Sequence, residues 1–274
     1  METVDDCWKY KHKIEIKTTK GEINNMGKFV LIGGGECGRP GTHYETEIFD
    51  KEIIRLTGKK KPNYLLIAMG SLIPELYYDV MKKVYKDMWK CNTDRIKIED
   101  LHNYEIMKQK FDWADIIYVG GGNTLKMMKS FRKYKIDILL EEALIKDKVL
   151  CGVSAGAICW CNSGNSDSRK MNDEDSDMIR VRGLGFVNLL LCPHYDKEVA
   201  RQPSLKKMMK TTYKIPALAL DNGAALEIDG DKCKLITCFE TAKGIRCFWK
   251  KGNYIMEELD KNVIYNLDDL CRKD

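Results

Sequence analysis

Ser154 stands between two glycines in "KVLCGVSAGAICW" (148–160), and residues Gly152 to Gly156 fit the pattern G-x-S-x-G. In that pattern a serine sits on a sharp turn between strand and helix, and the glycines relieve the crowding around it. The apolar "KVLC" reads as a strand and "AGAICW" as a helix start. The Ser154 hydroxyl would then be exposed at a helix N-terminus, where the Ala155 N–H can donate to a developing oxyanion. A structural serine in a tight turn fits the same five residues, so both readings stay open here.

A serine hydroxyl needs a base at neutral pH. The chain has four histidines, His12, His43, His102 and His194. His194 follows the buried-strand signal "NLLLCP" and should emerge at the same edge as Ser154. His43 follows the first glycine loop and is a second candidate. His12 lies in a polar N-terminal stretch, and His102 follows "IEDL" near no other candidate. A carboxylate should orient the imidazole. Asp167, flanked by Ser166 and Ser168, is the candidate nearest the elbow; Asp221, at the end of "ALAL", is the alternative, and the acidic run 173–177 reads as a solvated surface.

Four apolar runs end in unusual residues: "GGGECG" (33–38), "GGGNT" (120–124), "GVSAG" (152–156) and "CPH" (192–194). Ligands of open parallel sheets bind at carboxyl ends of strands, so all four should share one edge. "GGGECG" also matches the dinucleotide fingerprint G-x-G-x-x-G, but Pro40 and Gly41 stand where a helix should start, and the next strand ends "IAMGS" without an acidic residue for a ribose. A phosphate loop is disfavoured too, because no Gly-Lys-Ser/Thr follows.

The elements that must position these residues alternate between short apolar runs and longer amphipathic ones. "KFVLIG", "NYLLIAM", "DIIYVGGG" and "KVLCGV" read as buried strands, and "NTLKMMKSFRKY" and "KIDILLEEALIKD" as helices. "PELYYDVMKKVYKDMWK" places Tyr77, Met81, Val84 and Met88 on one helical face, with Pro74 in the first turn. The expected fold is α/β, a three-layer sandwich with a mainly parallel sheet and right-handed crossovers. Closely spaced strands after residue 216, with a turn at Asp229-Gly230, predict extra antiparallel strands at the C-terminal edge.

A chain of 274 residues suits one domain, here 27–274, preceded by a polar extension over 1–26. Its composition, 44% hydrophobic and 32% charged, is that of a globular protein. The net charge of +5 is spread along the chain and argues against nucleic acid as a partner. No apolar run is long enough for a membrane span or a signal peptide, so the expected location is the cytoplasm. Eleven cysteines without a C-x-x-C pair read as reduced thiols, several of them (Cys151, Cys192, Cys247) in apolar runs. Cys159 and Cys161 lack partners for a zinc site, so no metal is expected.

Taken in order, "GGGNT", "GVSAGA", a loop containing Ser, Asn and Asp, and a strand ending in Pro-His resemble the dipeptidase E and cyanophycinase family of serine peptidases, over roughly residues 28–250. The resemblance implies a fold like that of class I glutamine amidotransferases, with serine in place of their cysteine, and a reaction without metal or organic cofactor. It implies Ser154 as nucleophile, His194 as general base and Asp167 as acidic member, with Asp221 competing for that role. It further implies that Gly121 or Gly122 forms the oxyanion hole with Ala155, that Asn123 belongs to the same substrate-binding segment, and that Arg201 faces the carboxylate of an Asp-X dipeptide. The expected partner is a small peptide, and a homodimer is compatible with the sequence. Rival readings are a catalytically inactive ligand-binding or interaction protein on the same scaffold, an amidase or acyltransferase, and a nucleotide-binding enzyme.

Overall fold

The computed structural model describes residues 27–171, 173–212 and 214–272, so the 1–26 extension lies outside the described residues. Two sheets organise the chain. The first contains β1 (Lys28–Ile32), β2 (Asn63–Ile67), β3 (Asn92–Arg95), β4 (Ile116–Val119) and β5 (Val149–Val153), all parallel, in the order β3-β2-β4-β5-β1. The second contains β6 (Cys161–Ser166), β7 (Ile179–Arg182), β8 (Val187–Cys192) and β9 (Ala217–Leu220), with β6, β8 and β9 parallel. Strands β10 (Ala224–Asp229) and β11 (Lys232–Thr237) return antiparallel to the free side of β1. The last strands divide: β12 (Gly244–Lys250) and β13 (Asn253–Glu258) extend the second sheet beyond β9, whereas β14 (Ile264–Asn266) closes the edge of the first.

The α/β class, the parallel centre and the antiparallel additions agree with the sequence reading. The second sheet is an addition to it. Its strands carry the same short apolar signal as those of the first, and nothing in local periodicity says which sheet a strand joins.

Helices α1 (Glu47–Leu56) and α2 (Pro74–Lys82) cover one face of the first sheet, packing Phe49, Ile53 and Met81 on Val30, Ile32 and Leu66. The opposite face, with Phe29, Leu31 and Leu65, shares a core with α3 (Tyr104–Trp113), α4 (Thr124–Lys133), α5 (Ile136–Ile145), the single turn α6 (Ala155–Ile158) and the inner residues of the second sheet. Alternation along β1 sends successive residues to the two cores, as a strand buried on both faces requires. Helix α7 (Arg201–Thr211) packs Leu205 and Met209 on Leu190, Cys192 and Ala219, on the far side of the second sheet. The last element of the described residues is α8 (Leu267–Cys271).

The long helix expected from Pro74 onward changes character after Lys82. Residues Lys83–Met88 form a π-helical segment, in which Trp89 N–H bonds back to Val84 C=O. The wider turn rotates the face: Tyr85 and Val84 are buried, and Met88, expected inward, is 52% exposed.

Candidate active site

The elbow forms as the sequence suggested. β5 runs straight into Ser154, whose φ of 56° and ψ of −114° lie in a sparsely populated region. Such a conformation costs on the order of 1–3 kcal/mol and persists only where the surroundings over-determine it. Here they do. Ser154 N–H donates to Ile32 C=O (2.9 Å), and its own C=O accepts from Ala157 and Ile158. Gly156 packs so closely on the Val119 carbonyl that a Cβ there could not fit, and a Cβ on Gly152 would lie 2.6 Å from the same oxygen. Both glycines of the pattern are therefore steric requirements of the elbow. The helix that follows is a single turn, so the dipole expected behind the oxyanion is small, and charge stabilisation falls to the N–H groups themselves.

His194 arrives from the other sheet. It ends the turn after β8 with φ of 51°, and its N–H donates to Gly33 C=O (3.2 Å). The neighbouring carbonyl, that of Ile32, holds Ser154, so two consecutive peptide groups at the end of β1 anchor both residues. The same strap continues through Gly33 N–H to Ala224 C=O (2.9 Å) and through Gly34 C=O, which accepts from Gly223 N–H (2.9 Å). Gly34 lies against the imidazole and Asn222, and any side chain there would strike both. "GGGECG", weighed as a nucleotide loop, is thus the support under the histidine.

Asn222, rather than Asp167, accepts from His194: its Oδ1 is 2.6 Å from Nδ1. This acceptor fixes the proton on Nδ1 and leaves Nε2 as the basic nitrogen. Asn222 is positioned by its own N–H, which donates to Asp196 Oδ1 (2.8 Å). Asp221 is turned away: its buried Oδ2 accepts from Lys243 N–H (3.0 Å), and burial raises its pKa. Among the described residues no hydrogen bond links Ser154 Oγ to the imidazole, a contact that often tightens only when substrate orders a site.

Asp167 and Arg201 belong to a different network. Arg201 is 1% exposed; its Nε donates to Glu198 (2.9 Å), its Nη1 to Asn165 C=O (2.6 Å), and its Nη2 lies 3.9 Å from Asp167 Oδ2. A guanidinium so enclosed does not face a substrate, because its donors already bind β6 to α7. Ser166 and Ser168, on either side of Asp167, bond to each other (2.7 Å); Ser166 donates to Thr124 Oγ1 and Ser168 Oγ accepts from Leu125 N–H. This segment is therefore pinned to the start of α4. Asn123 helps: it caps α4 by accepting from Lys126 N–H, and its Nδ2 donates to Ser168 C=O (2.9 Å).

Gly121 lies beside the elbow, where a Cβ placed on it would be 3.7 Å from Ser154 Cβ. Its N–H donates to the Tyr77 hydroxyl (3.3 Å). Gly122, with φ of 130°, packs against Gly70 and Ser71. Of the other histidines, His43 is exposed and His102 stacks edge-on against Tyr134. His12 lies outside the described residues. Among the described residues no group of three or more His, Cys, Asp or Glu side chains could hold a metal ion, and no helix is long and apolar enough to cross a membrane.

Sequence profiles agree with this architecture. That of peptidase family S51 matches residues 29–236, which include the parallel strands of both sheets and every element of the elbow, strap and histidine turn. The chain belongs to peptidase family S51. It is a serine-type peptidase. An uncharacterized peptidase of Bacillus subtilis, YgaJ, is 36% identical over 118 residues, covering 43% of this chain and about half (49%) of that protein. A peptidase E of Shewanella amazonensis is 28% identical over 183 residues, or 64% of this chain and 74% of that one. Among solved structures, a peptidase from an acI-B1 actinobacterium aligns with a TM-score of 0.67 at 19% identity, covering 88% of this S51 chain and 96% of its own. A putative peptidase E from Listeria monocytogenes aligns at 0.56 and 17%, covering 77% and 98%. At such identities these structures speak for the fold.

Sequence reasoning missed Asn222 and Tyr77. Asn222 directly follows Asp221, the alternative acid, but amides carry no charge signal. Tyr77 was read as part of a core face, and its hydroxyl's meeting with Gly121 depends on how α2 packs across β4.

Proposed function

We propose that this S51 peptidase hydrolyses small peptides through an acyl-enzyme on Ser154. The observation that carries this is the pairing of a strained Ser154 with His194 on consecutive carbonyls of one strap. His194 Nε2 takes the hydroxyl proton as Oγ attacks the scissile carbonyl. The oxyanion forms at the Ala155 N–H and at the Gly121 N–H, which exchanges the Tyr77 hydroxyl for it, and the imidazolium returns its proton to the leaving amine. A water activated by the same nitrogen then releases the acyl group. Asn222 holds the tautomer throughout, a role an amide oxygen fills in other nucleophile-histidine pairs.

The names of the relatives, peptidase E, support a short peptide as substrate. The enclosure of Arg201 gives no support to recognition of an Asp-X dipeptide by that residue. Ten described cysteines are free thiols, which supports a reducing, cytoplasmic setting.

Treatment with a broad serine-reactive phosphonate, followed by intact mass spectrometry, tests the reading. One adduct is expected on Ser154, absent from Ser154→Ala and strongly reduced in His194→Ala. An adduct elsewhere, or an equal rate in His194→Ala, would remove the serine-histidine pair.

A further inference from the structure

Beside the elbow, between the loop that continues the β1 strap and the start of α2, lies a cavity of about 600 Å³. That volume falls within the range of small-ligand sites. Its wall is mainly apolar, formed by Cys37, Pro40, Ile73, Leu76, Tyr77 and Val80. It adjoins the reaction centre: the Tyr77 hydroxyl accepts the Gly121 N–H at 3.3 Å, and the Tyr77 ring packs on Gly120. Tyr77 thus stands between this cavity and Gly121, the glycine beside Ser154.

The wall is poorly suited to a carboxylate. Arg39 stands at the rim, but its guanidinium is already engaged, with Nε donating to Glu36 Oε2 (2.8 Å) and Nη2 to Glu36 Oε1. Burial pushes the Cys37 thiol up to about 11, so it is neutral at physiological pH and behaves as apolar surface. An aspartate side chain entering here would give up water for at most the Ser71 hydroxyl and the free edge of a guanidinium already paired with Glu36. Ile73 and Leu76, in contrast, are 59% and 49% exposed, apolar area that a ligand would cover.

We infer that this cavity is the side-chain pocket of the peptidase, and that it selects a peptide carrying a bulky apolar residue next to the scissile bond over one carrying aspartate there. The inference rests on Ser154 as the reacting residue but concerns binding, so it is tested apart from turnover. The Ser154→Ala protein is titrated calorimetrically with Leu-Ala, Phe-Ala, Asp-Ala and the three reversed dipeptides. At least one of the two orientations should bind its Leu and Phe members tenfold or more tightly than its Asp member. Adding Leu76→Lys, at an exposed position, should bring that ratio to one or below, and Ile73→Lys should act in the same direction. The inference is overturned if aspartyl peptides bind as tightly as the apolar ones, if no dipeptide binds, or if both lysine variants leave the ratio unchanged. Failure of the phosphonate to label Ser154 would instead strike the proposed mechanism and leave the binding ratio as measured.

Discussion

Ser154 and His194 differ from Asp167 and Arg201 in what fixes them. The first pair is held by main-chain bonds, N–H groups on the Ile32 and Gly33 carbonyls, with positive φ at both residues. Their side chains stay available, the hydroxyl wholly and the imidazole at Nε2. In the second pair the side chains themselves are the fixings: the buried Arg201 guanidinium joins Glu198, Asn165 and Asp167 in one network. A group engaged on several sides holds the fold and cannot also meet a substrate, whereas a reactive group is best carried by a backbone that needs nothing from its side chain.

Replacing one residue of each pair is the strongest way to break this contrast. Ser154→Gly should abolish turnover by roughly ten-thousand-fold while raising stability by about 1 kcal/mol, because glycine relieves the strained φ. Arg201→Met should do the reverse. It leaves two partly exposed carboxylates and a buried carbonyl without their donor, at a cost of about 3 kcal/mol in urea unfolding, with kcat per folded molecule retained. If Arg201→Met instead destroyed turnover at unchanged stability, the division between the pairs would fail.

Asn222 sharpens the comparison, since it is the one side chain on which His194 depends. Asn222→Ala removes a bond that becomes charge-assisted when the imidazolium forms, and should lower kcat about 10–100-fold with little change in KM. Asn222→Asp should restore the rate and move the acid limb of the kcat/KM profile to higher pH, because a carboxylate favours the protonated ring. A profile identical to that of the unmodified protein would show that residue 222 only packs.

The smallest effect concerns a buried acid remote from either pair. Asp50 is 1% exposed and receives the hydroxyls of Tyr85 (2.6 Å), Tyr44 (2.8 Å) and Thr46 (3.2 Å). Burial outweighs these bonds and lifts its pKa to about 6. The folded state then holds a proton that the unfolded chain releases near pH 4, so this group's contribution to stability falls as pH rises from about 4 to about 6. The change is on the order of 2–3 kcal/mol. Asp50→Asn should flatten the dependence of unfolding free energy on pH across that window; an unchanged slope would mean that Asp50 titrates like an exposed carboxylate.

Much of this was legible in the residues. The apolar runs located β1, β2, β4, β5 and β8, and the glycines around Ser154 specified the elbow because that turn admits no Cβ at Gly152 or Gly156. Alternating apolar and amphipathic runs pointed to the α/β class, and the ordered motifs, through their resemblance to a known family, to a serine peptidase. These features are local, set by periodicity two or by steric exclusion within a few residues. What tertiary structure decided was partnership across the chain. His194 follows a strand of the second sheet, and its N–H is held by the Gly33 carbonyl, next to the Ile32 carbonyl that holds Ser154; Asn222 lies 28 residues from His194, and Tyr77 lies 44 from Gly121. Asp167 had the right charge and the right distance in sequence, but a hydrogen bond is specified by the packing of whole elements, and that packing gave Asp167 to Arg201 and Asn222 to His194.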